Sequence, residues 1–225
     1  RVEHKMKIIL GPASKELGEK ITELTGLEKV QVTSKTFPDG EAYIRLEGPV
    51  QDDNVVIVQT TSPPQDSRLI QLAFMADAAK RNGASKVTAV VPYLAYARQD
   101  KIFLQGETIS IETIAHMLSV AGVDALITVN VHSANALTKF PFPAKNLSAI
   151  PLLAEHFTKI GLTKAFALAP DKGAMHIVEE AKKVLGGECG HLEKQRDRYT
   201  GQVKVAKKTF GVKGEPVIIF DDIIS

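Results

Sequence analysis

The 225-residue sequence predicts an α/β protein in which helices cover the faces of parallel sheets. Short runs rich in Val and Ile, apolar at almost every position, alternate along the chain with longer amphipathic stretches. Strands that are apolar throughout are buried on both faces, and their alternation with helices requires crossovers between parallel strands. Two segments of alternating polarity, 30–37 with 42–46 and 202–207, instead predict antiparallel hairpins attached to the sheets.

Each element has its own signal in the sequence. Ser14 fits the N-cap of the first helix and Gly26 its end, while Ser110 opens the third helix and Gly122 closes it. The predicted strands are Met6–Leu10, Val55–Gln59, Lys86–Tyr93, Ala125–Val131, Ala165–Ala169 and Glu215–Phe220. The predicted helices are Ser14–Leu24, Asp66–Arg81, Ile111–Val120, Ala149–Ile160 and Ala174–Leu185.

A Pro-rich stretch, residues 140–144, is the best candidate for a domain boundary because the alternation of strands and helices begins again after it. We therefore predict two related α/β lobes, residues 6–143 and residues 144–225. The second lobe is visibly shorter than the first.

Composition excludes several classes of protein. The 28 Lys and Arg residues nearly balance the 26 Asp and Glu residues, which argues against a general nucleic-acid binder. The single cysteine excludes an internal disulfide and any zinc site with two or more Cys ligands, and it favours a reducing, cytoplasmic compartment. No apolar run reaches the roughly 18 residues that a membrane span needs.

Polar side chains follow four of the predicted strands at their carboxyl ends, where open parallel sheets bind ligands. Oxygen and imidazole groups there suit Mg²⁺, which is held by few protein ligands together with substrate phosphates. Arg98, Lys194 and Arg196 are candidate phosphate donors, since Arg offers a bidentate fork and Lys a point charge. The strand-end residues are Arg98, Gln99 and Asp100, then His132, then Asp171, then Asp221 and Asp222.

Each of these residues also has a purely structural interpretation. His132 alone is more often a hydrogen-bonded structural residue, and Asp171 alone is more often the cap of the following helix. The adjacent acids Asp221 and Asp222 repel each other, which favours a cation or a polyol between them. The segment 37–41 is by default a turn, and the basic run from Lys194 to Lys208 a solvated hairpin face.

Taken together, the motifs resemble the ribose-phosphate diphosphokinase family, also called phosphoribosyl diphosphate (PRPP) synthases. The resemblance runs from about Met6 to Ser225. It implies two phosphoribosyltransferase-like lobes, the second truncated, because the family continues past Ser225 with a Thr-Gly-Gly-Thr type loop for the 5-phosphate. The matching segments are Phe37-Pro38-Asp39-Gly40-Glu41, 92–100 (PYLAYARQD), 129–132 (VNVH), 169–173 (APDKG), 193–196 (EKQR) and 217–225 (VIIFDDIIS).

The resemblance implies transfer of the diphosphate of ATP to the anomeric hydroxyl of ribose 5-phosphate, a step of nucleotide biosynthesis. It implies a homo-oligomer, at least a dimer and up to a tetramer or hexamer, because a neighbouring subunit completes the adenine site. No nucleic-acid or membrane partner is implied. The implied roles are ATP binding by Phe37, Asp39, Gly40, Glu41, Arg98, Gln99 and Asp100, magnesium binding by His132 and Asp171, catalysis by Lys194 and Arg196, and ribose 5-phosphate binding by Arg196, Asp221, Asp222 and Ser225.

Three alternatives make different demands on the sequence. A phosphoribosyltransferase shares the Asp221-Asp222 strand end but has no need of residues 37–41 or 98–100 for ATP. A non-catalytic regulatory relative would be expected to lose Lys194 or a metal ligand, and this chain retains both. A nucleic-acid-binding module would use the basic run from residue 194 to residue 208 and would show a steep salt dependence.

Overall fold

The computed structural model describes residues 5–196, 203–205, 210, 212 and 214–223, with the backbone alone for 194–196 and 203–205. The chain divides into a first unit, Arg1–Leu147, and a second unit, Ser148–Ser225. The boundary lies four residues beyond the predicted one, at 147 instead of 143. The reason is that Ala144–Leu147 forms a strand that pairs in parallel with Ala125–Val129.

The first unit is built on a six-stranded sheet in the order β2-β1-β5-β6-β7-β8, in which every pair is parallel. A separate antiparallel hairpin pairs β3 with β4. Its strands are β1 Met6–Leu10, β2 Glu28–Val30, β3 Val32–Thr36, β4 Ala42–Leu46, β5 Asn54–Val58, β6 Lys86–Val91, β7 Ala125–Val129 and β8 Ala144–Leu147. Its helices are α1 Lys15–Thr25, α2 Gln65–Arg81, α3 Ser110–Val120 and α4 Ala134–Leu137.

The second unit contains a three-stranded parallel sheet in the order β10-β9-β13 and an antiparallel hairpin of β11 with β12. A 3₁₀ turn, Lys172–Ala174, leads into its last helix. Its helices are α5 Ile150–Lys159 and α6 Met175–Leu185, and its strands are β9 Phe166–Ala169, β10 Cys189–His191, β11 Lys194–Arg196, β12 Val203–Val205 and β13 Val217–Ile219.

Burial on both faces of β1 confirms for that strand the prediction from the apolar pattern. Ile9 belongs to a core that includes Leu72 of α2 and Leu118 of α3, whereas its neighbour Ile8 packs with Ile21 of α1. Because successive side chains of a strand point to opposite faces, α1 covers one face of β1 and α2 and α3 cover the other. At β6 and β7 the α1 side of the sheet is only half-buried, since Thr88, Val90 and Ile127 remain partly exposed there, so this face is covered at β1 and less so further along the sheet.

The predicted helix ends are confirmed, and Ser14 occupies the predicted N-cap position of the first helix, but its side chain makes no capping bond. Gly26 lies in the left-handed region at φ 70° and its N–H donates to the Thr22 carbonyl, which ends α1. Ser14 stands at the N-cap of α1 without capping it, because its Oγ accepts a 2.7 Å hydrogen bond from the Thr60 N–H. None of the helices in the described part of the chain combines the length and the apolar character that crossing a membrane requires.

Candidate functional site

The carboxyl end of the large sheet carries a hydrogen-bonded framework of loops. The Thr61 hydroxyl donates to the Tyr93 carbonyl at 2.7 Å and accepts from the Ala95 N–H at 2.8 Å. This contact attaches the start of the Arg98 loop, residues 92–109 between β6 and α3, to the end of β5. The Arg98 loop is therefore held against the sheet before it reaches Arg98.

Tyr96 adds a second constraint just before Arg98. Its backbone lies in the left-handed region at φ 64°, a conformation that is costly for a bulky residue and that clusters at functional sites. The Tyr96 hydroxyl donates a hydrogen bond to the Asp66 carboxylate at the start of α2, and this bond raises the pKa of Tyr96. No pattern in the sequence predicts this contact, since Asp66 lies thirty residues earlier.

The three residues assigned to ATP in this loop have different surroundings. Arg98 is exposed, and its guanidinium makes no hydrogen bond to any residue in the described part of the chain. The Gln99 amide donates to the Glu107 carboxylate at 3.1 Å, and Glu107 also accepts from the Phe103 N–H at 2.8 Å. Asp100 is buried within the protein. Of the two charged residues among them, Arg98 presents its charge to solvent and Asp100 does not.

His132 is exposed on the His132 turn, residues 130–133, which joins β7 to α4. The turn is fixed from the neighbouring edge strand, because Asn130 donates its N–H to the Leu147 carbonyl and Val131 donates its N–H to Asn146 Oδ1, both at 2.9 Å. Asn130 has a φ of 46°, which an asparagine adopts more readily than most residues. The imidazole thus stands at the carboxyl edge, where the sequence predicted it.

The turn between β3 and β4 presents an aromatic ring at the surface. The Phe37 side chain is 38% exposed, so one part of the ring remains available for stacking. Lys35 places its Nζ 4.9 Å from the centroid of that ring and 4.8 Å from the centroid of Tyr43. Such cation–π contacts hold the ring in one orientation.

The rest of this segment forms a turn, as its sequence predicted in the purely structural interpretation. Asp39 Oδ1 accepts a 3.1 Å hydrogen bond from the Glu41 N–H, and Gly40 supplies the positive φ of 95° that the turn requires. The interpretation as a turn and the assignment to ATP are compatible, because the Asp39 contact uses one oxygen.

In the second unit, adjacent strands bring three carboxyl groups to one edge. β13 pairs in parallel with β9, so that Asp221 and Asp222, which follow β13, and Asp171, which follows β9, leave the sheet at neighbouring positions. We call these three residues the acidic group. Asp171 Oδ1 accepts from the Gly173 N–H at 2.8 Å, so the predicted capping role applies to the 3₁₀ turn before α6.

The electrostatics of the acidic group favour a counter-charge. Burial raises the pKa of Asp221 above its ordinary value, and the hydrogen bond and charge of Asp222 together with the charge of Asp171 raise it further. A cation nearby would relieve this repulsion, and Mg²⁺ prefers carboxylate oxygens. Within the described residues, no three His, Cys, Asp or Glu side chains form a ready-made metal cage.

Lys194 and Arg196 occupy alternate positions of β11, paired with Val205 and Val203 of β12. The hairpin predicted from the polarity of residues 202–207 is therefore present, and it carries the candidate phosphate donors Lys194 and Arg196 on its first strand. Ser225 lies outside the described residues.

The family model for the N-terminal domain of ribose phosphate pyrophosphokinase matches residues 6–122. Over 221 residues the chain is 40% identical to the ribose-phosphate pyrophosphokinase of Saccharolobus solfataricus, covering 98% of this chain and 76% of that relative. It is 39% identical over 214 residues to the enzyme of the same name from Methanothermobacter thermautotrophicus, covering 95% and 73% of the two chains.

A solved structure agrees with these sequence relatives. The fold is similar to the crystal structure of phosphoribosylpyrophosphate synthetase from Mycobacterium smegmatis, with a TM-score of 0.84 and 26% identity over 97% of this chain and 71% of that one. Similarity in sequence and in structure extends across both units. The chain belongs to the ribose-phosphate pyrophosphokinase family.

Proposed function

We propose that this chain transfers the diphosphate of ATP to the anomeric hydroxyl of ribose 5-phosphate, releasing AMP and forming PRPP. Family membership supports the reaction. The observation that carries the assignment to residues is the acidic group, whose carboxyls meet at the carboxyl edge of two neighbouring strands. Carboxylates in that position can accept hydrogen bonds from the hydroxyls of a ribose and can face a divalent cation.

Each unit contributes its own part of the proposed chemistry. In the first unit, Phe37 offers a ring face to adenine and Arg98 offers a bidentate fork to the phosphates of ATP. In the second unit, Asp221 and Asp222 hold the ribose hydroxyls. The two proposed nucleotide-binding segments are shaped by Asp39, Gly40 and Glu41 in the first and by Gln99 in the second. Part of the hydrogen-bonding capacity of these residues is already used inside the protein.

The transfer step asks mainly for positioning and for cancellation of spreading negative charge. We assign that task to Lys194 and Arg196, and we assign magnesium binding to His132 in the first unit and Asp171 in the second. When bound, Mg²⁺ would neutralise the oxygens of the transferred diphosphate. The protein's part is to hold the attacking hydroxyl in line with the β-phosphate and to exclude water that would otherwise hydrolyse ATP.

Phosphorus NMR of the protein with ATP, ribose 5-phosphate and Mg²⁺ tests this proposal. We expect the ATP signals to decay while those of AMP and PRPP grow at equal rates. ATP hydrolysis that does not require ribose 5-phosphate would contradict the proposal. Consumption of added PRPP in the presence of a nucleobase would identify a phosphoribosyltransferase instead.

Replacing His132 with alanine is expected to raise the magnesium concentration that gives half-maximal activity. We expect at least about a tenfold rise, the loss that even an outer partner of a metal ligand typically causes. Titration of PRPP formation with Mg²⁺ at fixed ATP measures it, and His116→Ala, on the surface of α3, is the matched control. A titration curve that coincides with that of the unmodified protein would remove His132 from the metal site.

The proposed assembly is a homo-oligomer of at least two subunits in which Phe37 serves a neighbour's adenine site. Mixing Phe37→Ala chains with Lys194→Ala chains tests it, because each variant supplies what the other lacks. We expect the mixture to recover activity that neither variant has alone. Strict additivity of the two residual activities would show that each subunit works by itself.

A further inference from the structure

Asp100 is a charged residue that the fold buries. Its exposure is 7%, although Arg98, two residues earlier, is exposed. Asp100 Oδ2 accepts a 2.6 Å hydrogen bond from the Ser133 hydroxyl and a 3.1 Å hydrogen bond from the Asn135 amide. The same amide lies 3.3 Å from the Asp100 carbonyl oxygen. The Asp100 carboxylate therefore already accepts two hydrogen bonds from protein donors and is almost entirely screened from solvent.

The partners of Asp100 belong to the segment that carries His132. Ser133 directly follows His132 and stands at the N-cap position of α4, yet its side chain makes no capping bond. Its hydroxyl is directed instead to Asp100, more than thirty residues away in sequence. N-cap serines usually accept from the first helical N–H groups, so this serine has given up the common local contact for a distant one.

The charge of Asp100 is stabilised by these contacts. Burial alone raises the pKa of a carboxyl group, but the hydrogen bonds from Ser133 and Asn135 outweigh it, and the pKa of Asp100 lies below its ordinary value. Asp100 is therefore ionised at neutral pH, and its bonds to both donors are charge-assisted. Such bonds are roughly twice as strong as neutral ones.

We infer that Asp100 is a positioning residue whose carboxylate ties the Arg98 loop to the His132 turn. The identity of the two ligands, ATP phosphates at Arg98 and magnesium at His132, rests on the proposed function, while the tie itself rests on the hydrogen bonds. The consequence is that the phosphate-binding arginine and the metal-binding histidine keep a fixed position relative to each other. Asp100 thus acts through its neighbours and does not itself contact ATP.

Hydrogen–deuterium exchange of the ligand-free protein tests the tie without any reference to catalysis. In Asp100→Ala we expect exchange in residues 130–138 to become at least about tenfold faster, because the His132 turn loses its distant anchor. In Ser133→Ala we expect the reciprocal change in residues 97–105. Unchanged exchange in both segments would overturn the inference whatever the activity of the protein.

Kinetics then test whether the tie matters for the reaction. Ser133→Ala is expected to lower kcat and to raise both the KM for ATP and the half-saturating Mg²⁺ concentration, with a combined loss of about 10- to 100-fold. Ser133→Thr keeps the hydroxyl on an extended backbone that threonine favours, and we expect it to restore most of the loss. If Ser133→Ala behaved like the unmodified protein while Asp100→Ala raised only the KM for ATP, Asp100 would be a direct ATP ligand and the inference would be wrong.

Glu107→Gln is the matched control. Glu107 accepts hydrogen bonds only from within the Arg98 loop, from the Gln99 amide and from the Phe103 and Leu104 N–H groups, among the described residues. We expect it to leave exchange in residues 130–138 and the magnesium dependence unchanged. A protein that shows the exchange pattern but forms no PRPP would contradict the proposed function and leave the tie intact.

Discussion

Replacing Lys194 with alanine is expected to slow PRPP formation by on the order of 10²–10³-fold while leaving the affinity for ATP nearly unchanged. The reason is that Lys194 is assigned to charge that develops only as the diphosphate is transferred. A group that acts only in the transition state lowers kcat and kcat/KM together and leaves ground-state binding alone. Single-turnover kinetics combined with ATP binding by calorimetry separate the two effects.

The antiparallel register supplies the control for this variant. Lys204 of β12 is paired with Gln195, so it lies on the same hairpin, next to the candidate residues but outside the family motif. Lys204→Ala removes the same charge from the same hairpin, and we expect it to change the rate by less than about threefold. Equal losses for the two variants, or a collapse of ATP binding in Lys194→Ala, would show that general positive charge or ATP binding explains the effect.

Replacing Asp221 with asparagine is expected to have opposite effects on activity and on stability. For activity, loss of a charged acceptor for the ribose hydroxyls should lower kcat/KM for ribose 5-phosphate by on the order of 10²-fold. For stability, the pKa of Asp221 is raised in the folded protein by burial and by the neighbouring acids Asp222 and Asp171. The ionised form is thus unfavourable in the fold, and asparagine has no charge to bury.

The sign of the pH dependence follows from that raised pKa. Below the ordinary pKa of aspartate, Asp221 is protonated in both the folded and the unfolded chain and has no pH-dependent effect. As the pH rises, the unfolded chain ionises first, and the unmodified protein loses free energy of unfolding until the pH passes the pKa of the folded state. The difference in Tm between Asp221→Asn and the unmodified protein should therefore grow in favour of the variant between acidic and neutral pH.

Differential scanning calorimetry across that pH range, without Mg²⁺ or substrates, measures the difference. Glu155→Gln removes one exposed carboxyl from α5 of the same unit and controls for net charge. Added Mg²⁺ should stabilise the unmodified protein more than Asp221→Asn, because the cation and the carboxylate stabilise each other. A Tm difference that stayed constant with pH would mean that the acidic group has no electrostatic strain to relieve.

Most of the fold could be predicted from the sequence because its strongest signals are local. The run Met6–Leu10 is apolar at every position except Lys7, which predicts a strand covered on both faces, and Gly26 is a typical helix end. Two of the missed strands, β2 and β8, are short and polar. β2 begins with Glu28 and Lys29, and β8 contains Lys145 and Asn146, so neither has the apolar pattern of a buried strand. Both are edge strands, which pair with a neighbour on one side only. Their amino-acid composition therefore carries no signal that would predict a strand.

The candidate site was predictable in its positions and less so in its contacts. The positions of Arg98, His132 and Asp171 at the binding edge could be predicted from the ends of the strands that precede them. This is possible because topology fixes which edge of a parallel sheet carries the carboxyl ends. The partners of Asp100 were not predictable, because Ser133 and Asn135 have no spacing relative to Asp100 that would distinguish them from other polar loop residues. Which side chain a carboxylate meets depends on how two loops lie against each other, and that is a property of the packed fold.

The parallel pairing of the large sheet also has a consequence for how the chain folds. β1 cannot be flanked on both sides until its partner in β5 has arrived, since Met6 is paired with Asn54. The hairpin of β3 and β4 lies within that same interval and closes across the short turn at Gly40. Contacts between near neighbours in sequence form faster than distant ones. The turn that carries Phe37 should thus be complete early, whereas the edge that carries Arg98 and His132 is assembled last, when the strands beneath it have come together.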